Sequence, residues 1–97
     1  MIVRVLAEAR LELLDAVEHY ERDQVGLGKR LWDEVDEHLV WIVQNPEVAK
    51  LRAGGYRRVN LRVFPYFVAY VLRGDAVWVL AISHVRRRPE YWIERLR

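Results

Sequence analysis

Tyr66-Phe67-Val68-Ala69-Tyr70-Val71-Leu72-Arg73-Gly74-Asp75-Ala76-Val77-Trp78-Val79-Leu80-Ala81-Ile82-Ser83 is the stretch on which the fold turns. Two runs rich in β-branched and aromatic residues flank Arg73-Gly74-Asp75, and a glycine beside an acid between such runs signals a β-hairpin. Tyr66 to Leu72 therefore reads as a strand, entered through a turn at Phe64-Pro65. Ala76 to Ser83 is nearly all apolar, which suits a central strand covered on both faces. A short strand from Tyr56 to Leu61 precedes this hairpin, after a loop at Ala53-Gly54-Gly55.

Further upstream the period changes. Ile2-Val3-Arg4-Val5-Leu6 is a β-branched run and reads as a strand. From Ala7 to about Asp23, Leu13, Ala16 or Val17, and Tyr20 recur at three- and four-residue spacing. Glu8, Glu12, Asp15, Glu18 and Glu21 take the polar side, so this is an amphipathic helix. Gly26 and Gly28 punctuate a turn. A second helix follows with Leu27, Leu31, Val35, Leu39 and Ile42 on one stripe, and Asn45-Pro46 ends it. Pro89 can open a last short helix through Arg95, because its fixed φ suits a first helical position. The predicted order is β-α-α-β-β-β with a short C-terminal helix. That is an α+β fold, a helical hairpin packed on one face of a small, mainly antiparallel sheet, in a single domain over residues 1–97.

The net charge of +2 conceals an asymmetry. Residues 1–49 carry five Lys/Arg against eleven Asp/Glu, and residues 50–97 carry eleven against three. Fourteen of the sixteen cations are arginine, the side chain suited to bidentate contact with carboxylate or phosphate. Two readings follow: the second half meets an anionic partner, or the two halves attract each other. Cysteine is absent, which excludes disulfides and thiolate chemistry and suits a reducing cytoplasm. The longest apolar run, Ala76 to Ile82, is seven residues, against roughly 20 needed to span a bilayer. With no signal-peptide pattern after Met1, the expectation is a cytoplasmic protein without membrane association.

Few side chains offer nucleophilic or metal chemistry. Ser83 is the single serine, and its neighbour His84 should point to the opposite face of the strand. His19, His38 and His84 form no close ligand motif, so no metal and no cofactor are expected. Gly26-Leu27-Gly28-Lys29 resembles a fragment of a phosphate loop but lacks the preceding strand, and Arg30 stands where Ser or Thr belongs. The remaining candidates are basic. Strand alternation puts Tyr56, Arg58, Asn60 and Arg62 on one face, with Arg57, Val59 and Leu61 on the other. Arg86-Arg87-Arg88 follows the central strand and precedes Tyr91-Trp92. Arginines among aromatics suit phosphate contacts and base stacking, the alternative being a solvated charge run with Tyr91 and Trp92 closing the core. Arg58, Arg62, Arg86, Arg87 and Arg88 are thus the candidate target- or nucleic-acid-binding residues.

Taken in order, Ala9, Glu12-Leu13, Ala16, Tyr20, Gly28, Asn45-Pro46, Arg58, Leu61, Phe64-Pro65-Tyr66, Tyr70, Val79-Leu80-Ala81-Ile82 and the tail His84-Val85-Arg86-Arg87-Arg88-Pro89-Glu90-Tyr91-Trp92 with Arg95 run along nearly the whole chain. This pattern resembles the RelE/ParE toxins of type II toxin–antitoxin systems, in their ParE-like, plasmid-stabilisation branch. The resemblance implies a growth-arresting protein neutralised by a cognate antitoxin, with DNA gyrase as target in ParE-like members and ribosome-bound messenger RNA in RelE-like ones. RelE-like cleavage resembles metal-free acid–base chemistry at the ribose 2′-OH. By that resemblance Arg58 takes the place of a catalytic Lys, Asn60 of a second Lys and Phe67 of an Arg. Arg87 matches a general-acid Arg and Tyr91 a substrate-orienting Tyr. Arg58, Arg87 and Tyr91 are therefore the catalytic residues if the chain is a ribonuclease. Two cations are missing from that set, which favours the gyrase-directed role. A binding module without toxicity is the third possibility.

Overall fold

The hairpin predicted around Arg73-Gly74-Asp75 forms the middle of the sheet in the computed structural model, which describes residues 1–96. The elements are β1 (Ile2–Val5), α1 (Ala7–Asp23), α2 (Leu27–Gln44), β2 (Arg57–Asn60), β3 (Tyr66–Arg73), β4 (Ala76–His84) and a short 3-10 helix (Ile93–Leu96). The sheet order is β1-β4-β3-β2. β2–β3 and β3–β4 are antiparallel, whereas β1 pairs with β4 in parallel. Gly74 takes a left-handed φ of +61° at the hairpin turn, a conformation costly for any residue with a Cβ.

Both faces of the sheet are covered. On the front, Ala9, Leu13 and Ala16 of α1 and Leu31, Val35 and Ile42 of α2 pack on Val68, Tyr70, Val77, Val79 and Ile82. The predicted apolar stripes are these helix faces. On the back, Phe67, Ala69, Val71, Leu80 and Ala81 bury Trp92, with Tyr56 meeting its ring edge-on at 4.5 Å between centroids. Leu80 and Ala81 both face back because the register slips there. Ala69 pairs with Ala81 and Tyr70 with Val79, so Leu80 is left without a partner on β3.

Two carboxylates missed by periodicity hold the helical hairpin. Glu21 accepts the backbone N–H groups of Gly26 and Gly28 at 2.9–3.1 Å, so it caps α2, whose N-terminal glycine has φ +90°. The amides a phosphate would need at Gly26-Leu27-Gly28 are therefore occupied. A Cβ on Gly28 would stand 2.5 Å from the Val17 carbonyl oxygen, so the helices cross there only with glycine. Glu34, buried at 6% exposure, accepts the N–H groups of Arg62 and Val63 from the turn after β2.

The tail departs from expectation. No helix opens at Pro89. Residues 89–92 form turns, Glu90 takes a left-handed φ of 57°, and only Ile93–Leu96 is helical, as 3-10. The reason is Trp92: burying its ring on the back of the sheet fixes the chain locally before a helical turn can close. Likewise β1 stops at Val5, because Leu6 serves as the N-cap of α1, and β2 is confined to Arg57–Asn60.

Candidate functional site

Of the arginine–aromatic contacts on the back face, two are close stacks. Arg58 lies over Phe67 with its guanidinium carbon 3.9 Å from the ring centroid, and Arg87 lies over Tyr91 at the same distance. The register explains the proximity. Asn60 pairs with Phe67 and Phe67 with Ser83, so these three side chains form one row across β2, β3 and β4. Arg58 reaches along that row, its Nε donating to Asn60 Oδ1 at 3.1 Å.

The β4 end of the face is organised by Glu12 of α1. β1 ends opposite Val79, so the outer edge of β4 beyond it has no strand partner. Glu12 Oε1 accepts the Ile82 N–H at 3.1 Å, and Arg95 donates to the Leu80 carbonyl at 2.9 Å. The same carboxylate accepts the Tyr91 hydroxyl and both Arg95 Nη groups, at 3.1 and 3.2 Å, with Arg87 at 3.8 Å. One acid thus closes the sheet edge and pins the tail to it. A second pin is Glu90, whose Oε2 accepts the Tyr56 hydroxyl at 2.6 Å. Burial, and then the hydrogen bond to Glu12, raises the pKa of the Tyr91 phenol; burial, and then Glu90, does the same for Tyr56.

The profile of the ParE toxin of the type II toxin–antitoxin system parDE matches residues 3–89. The chain belongs to this family. Among solved structures, a chain described as the chromosomal ParDE TA system from P. aeruginosa superposes with a TM-score of 0.70 at 17% identity, over 87% of this chain and 95% of that one. At that identity the likeness is one of fold. No curated protein matches. Membership makes the chain a ParE-like toxin and implies an antitoxin partner. Among the described residues no helix is long and apolar enough to cross a membrane.

The toxin's five candidate arginines do not converge. Arg62 was expected beside Arg58, but β2 ends at Asn60 and Glu34 turns the chain at Arg62 and Val63. The Arg62 side chain consequently faces α2, pairing with Glu37 at 3.6 Å. Arg57, on the front as predicted, holds the carbonyls of Glu47 and Ala49. Arg86 and Arg88 stand exposed on the turn after β4, with no ion pair among the described residues. Arg87 and Tyr91 come together, but on the carboxylate of Glu12. The charge asymmetry is therefore partly internal: Glu12 and Glu37 in the acidic half pair with Arg87, Arg95 and Arg62 in the basic half. Ser83 donates its hydroxyl to the His84 carbonyl, not to the imidazole. Sequence reasoning passed over Glu12, Arg52 and Glu90 as site residues. An acid on the polar side of α1 carries no sign that it folds inward.

Proposed function

We propose that this toxin arrests growth by acting on DNA gyrase, and that its antitoxin silences it by covering the back face and the exposed apolar residues of the helical hairpin. The observation that carries the choice of target is the Asn60–Phe67 row beneath Arg58. Cutting RNA without a metal requires a base that can shed its proton and cations around the phosphate. Here an aromatic ring and an amide occupy two of those places, and the remaining group is a guanidinium, which holds its proton at neutral pH. Leu11, Leu14, Trp32, Val40 and Trp41 expose large apolar surface on α1 and α2, which supports a protein partner.

The test is direct. Purified toxin is expected to inhibit supercoiling by gyrase and to leave messages intact in translating ribosomes. One observation favours the ribonuclease reading: burial, and then the charge of Arg52, lowers the ionisation of Arg58. Ribosome-dependent cleavage lost in Arg58→Ala or Arg87→Ala would establish that reading, with Tyr91 the next residue to replace. Induced expression without the antitoxin gene separates either activity from a harmless binding module.

A further inference from the structure

Among the described residues, Arg58 of β2 has no acid to answer its positive charge. Arg57 is spent on two loop carbonyls, Arg62 on Glu37 and Arg73 on the Leu96 carbonyl. Arg58 is half-buried, stacked flat on Phe67 and fixed at Nε by Asn60. Its two Nη groups have no acceptor among the described residues. Beside it, a tight turn in which the Arg52 N–H donates to the Tyr56 carbonyl at 2.8 Å brings a second arginine to the same end of the strand. The two like charges repel each other, and the partial burial of Arg58 makes that costlier. Such an arrangement is stable when an oxyanion joins it.

We propose that the Arg58 fork, with Arg52 beside it, is an oxyanion site that receives a side-chain carboxylate from an acidic segment of the antitoxin. The inference rests on the toxin–antitoxin reading and specifies where the partner's charge is held. A carboxylate fits better than a nucleic acid backbone for two reasons. A single-stranded nucleic acid needs bare rings for its bases and a track of cations for successive phosphates. Phe67 is 6% exposed beneath its arginine, and Arg57, Arg62 and Arg87 are already engaged by the protein. Arg86 and Arg88 lie on the turn after β4, so what remains at the β2 end is a point site for one planar, bidentate acceptor.

The probes are a short blocked peptide of Asp and Glu, and oligothymidylate of matching charge. They are titrated into the intact toxin while the arginine Nε–H resonances are followed by nitrogen-15 NMR. The peptide is expected to shift the Arg58 resonance and leave that of Arg95 in place. Its affinity should fall about tenfold, the loss of one charged contact, in Arg58→Ala. A similar fall is expected in Arg58→Lys, which keeps the charge but loses the fork and the stacking. Arg22→Ala serves as a control for general charge and should bind as the parent does. Undiminished peptide binding by Arg58→Ala overturns the proposal. So does oligothymidylate binding at Arg58 more tightly than the peptide, which would make the site a phosphate site. Because the readout is binding by the purified toxin, a failure of the gyrase assay leaves this test standing, and the converse holds as well.

Discussion

The two ends of the back face solve the problem of charge in opposite ways. At the β4 end Glu12 takes a backbone amide, a phenol and two guanidinium nitrogens at once, and the carbonyl freed by the bulge at Leu80 goes to Arg95. At the β2 end Arg58 is pressed onto Phe67 with its Nη groups empty. A desolvated charge without a counter-ion lowers stability, and among the described residues no carboxylate accepts from Arg58, the nearby Glu90 being bonded to the Tyr56 hydroxyl. The closed end is architecture, holding the tail on the sheet. The open end keeps a charge available to something outside the chain.

Removing the central group at each end should give opposite results, and the larger effect belongs to Glu12. Its side chain is 13% exposed and its principal partner Arg95 19%, so Glu12→Ala leaves a half-buried guanidinium with only the Leu80 carbonyl and an edge amide with no acceptor. Breaking such a pair costs about 3–5 kcal/mol. Chemical denaturation should register a loss of that order, with the tail from Val85 onward losing amide-exchange protection first. Glu12→Gln, which keeps an acceptor for Ile82, should cost less. A variant as stable as the parent would dissolve the distinction between the two ends.

The tyrosines sharpen it next. Tyr91→Phe removes a hydroxyl bonded to a carboxylate and should cost about 1.5 kcal/mol, the range for a hydrogen bond to a charged group. All five tyrosines have their native pKa raised, each by burial first. The neutral phenol is therefore the form the fold prefers. That contribution is complete below the ordinary phenol value of about 10 and is lost as pH rises through the elevated native values. Phenolate absorbance should develop at higher pH than in the unfolded chain, with stability declining over the same interval. Early titration of Tyr91 would mean that the Glu12 cluster is open in solution.

Arg58→Ala should move stability by about 1 kcal/mol or less. It loses one cation–π contact and relieves the repulsion from Arg52. Thermal melting of this variant beside Glu12→Ala measures the contrast directly. A loss as large as that of Glu12→Ala would make Arg58 a structural residue.

The same contrast explains what was legible in the sequence. Element order, the helical hairpin and the central apolar strand all follow from periodicity, because burial of one face acts on every second or fourth residue. Arg58 and Asn60 could be placed on one face because strand alternation is periodic too, whereas Phe67 joined them only through the family resemblance. Arg62 could not, since its direction depends on Glu34, twenty-eight residues earlier, accepting its amide. The role of Glu12 was hidden for the same reason: its partners lie seventy or more residues away, and nothing local distinguishes it from Glu8 or Glu18. The short tail helix is present but begins at Ile93 as 3-10 rather than at Pro89, where the buried Trp92 overrides a favourable proline.

Arg86 and Arg88 provide the smallest expected effect and the finest division of the molecule. They flank Arg87, which the Glu12 cluster holds, yet both lie exposed on a turn. That turn is built by the backbone: the Arg86 N–H donates to His84 Nδ1 at 3.0 Å and the Arg87 N–H to the His84 carbonyl at 3.1 Å. Neither bond needs an arginine side chain. Alanine at either position should therefore change stability by less than about 0.5 kcal/mol, the usual range for an exposed side chain away from such contacts. Growth arrest measured on the same variants decides their role. Folded variants with weakened arrest place the turn on the target-binding surface, whereas folded and fully toxic variants make it a solvated charge run. Early unfolding of both would show that three adjacent guanidinium groups are held by the acidic helices, and the closed end of the sheet would then extend across the whole tail.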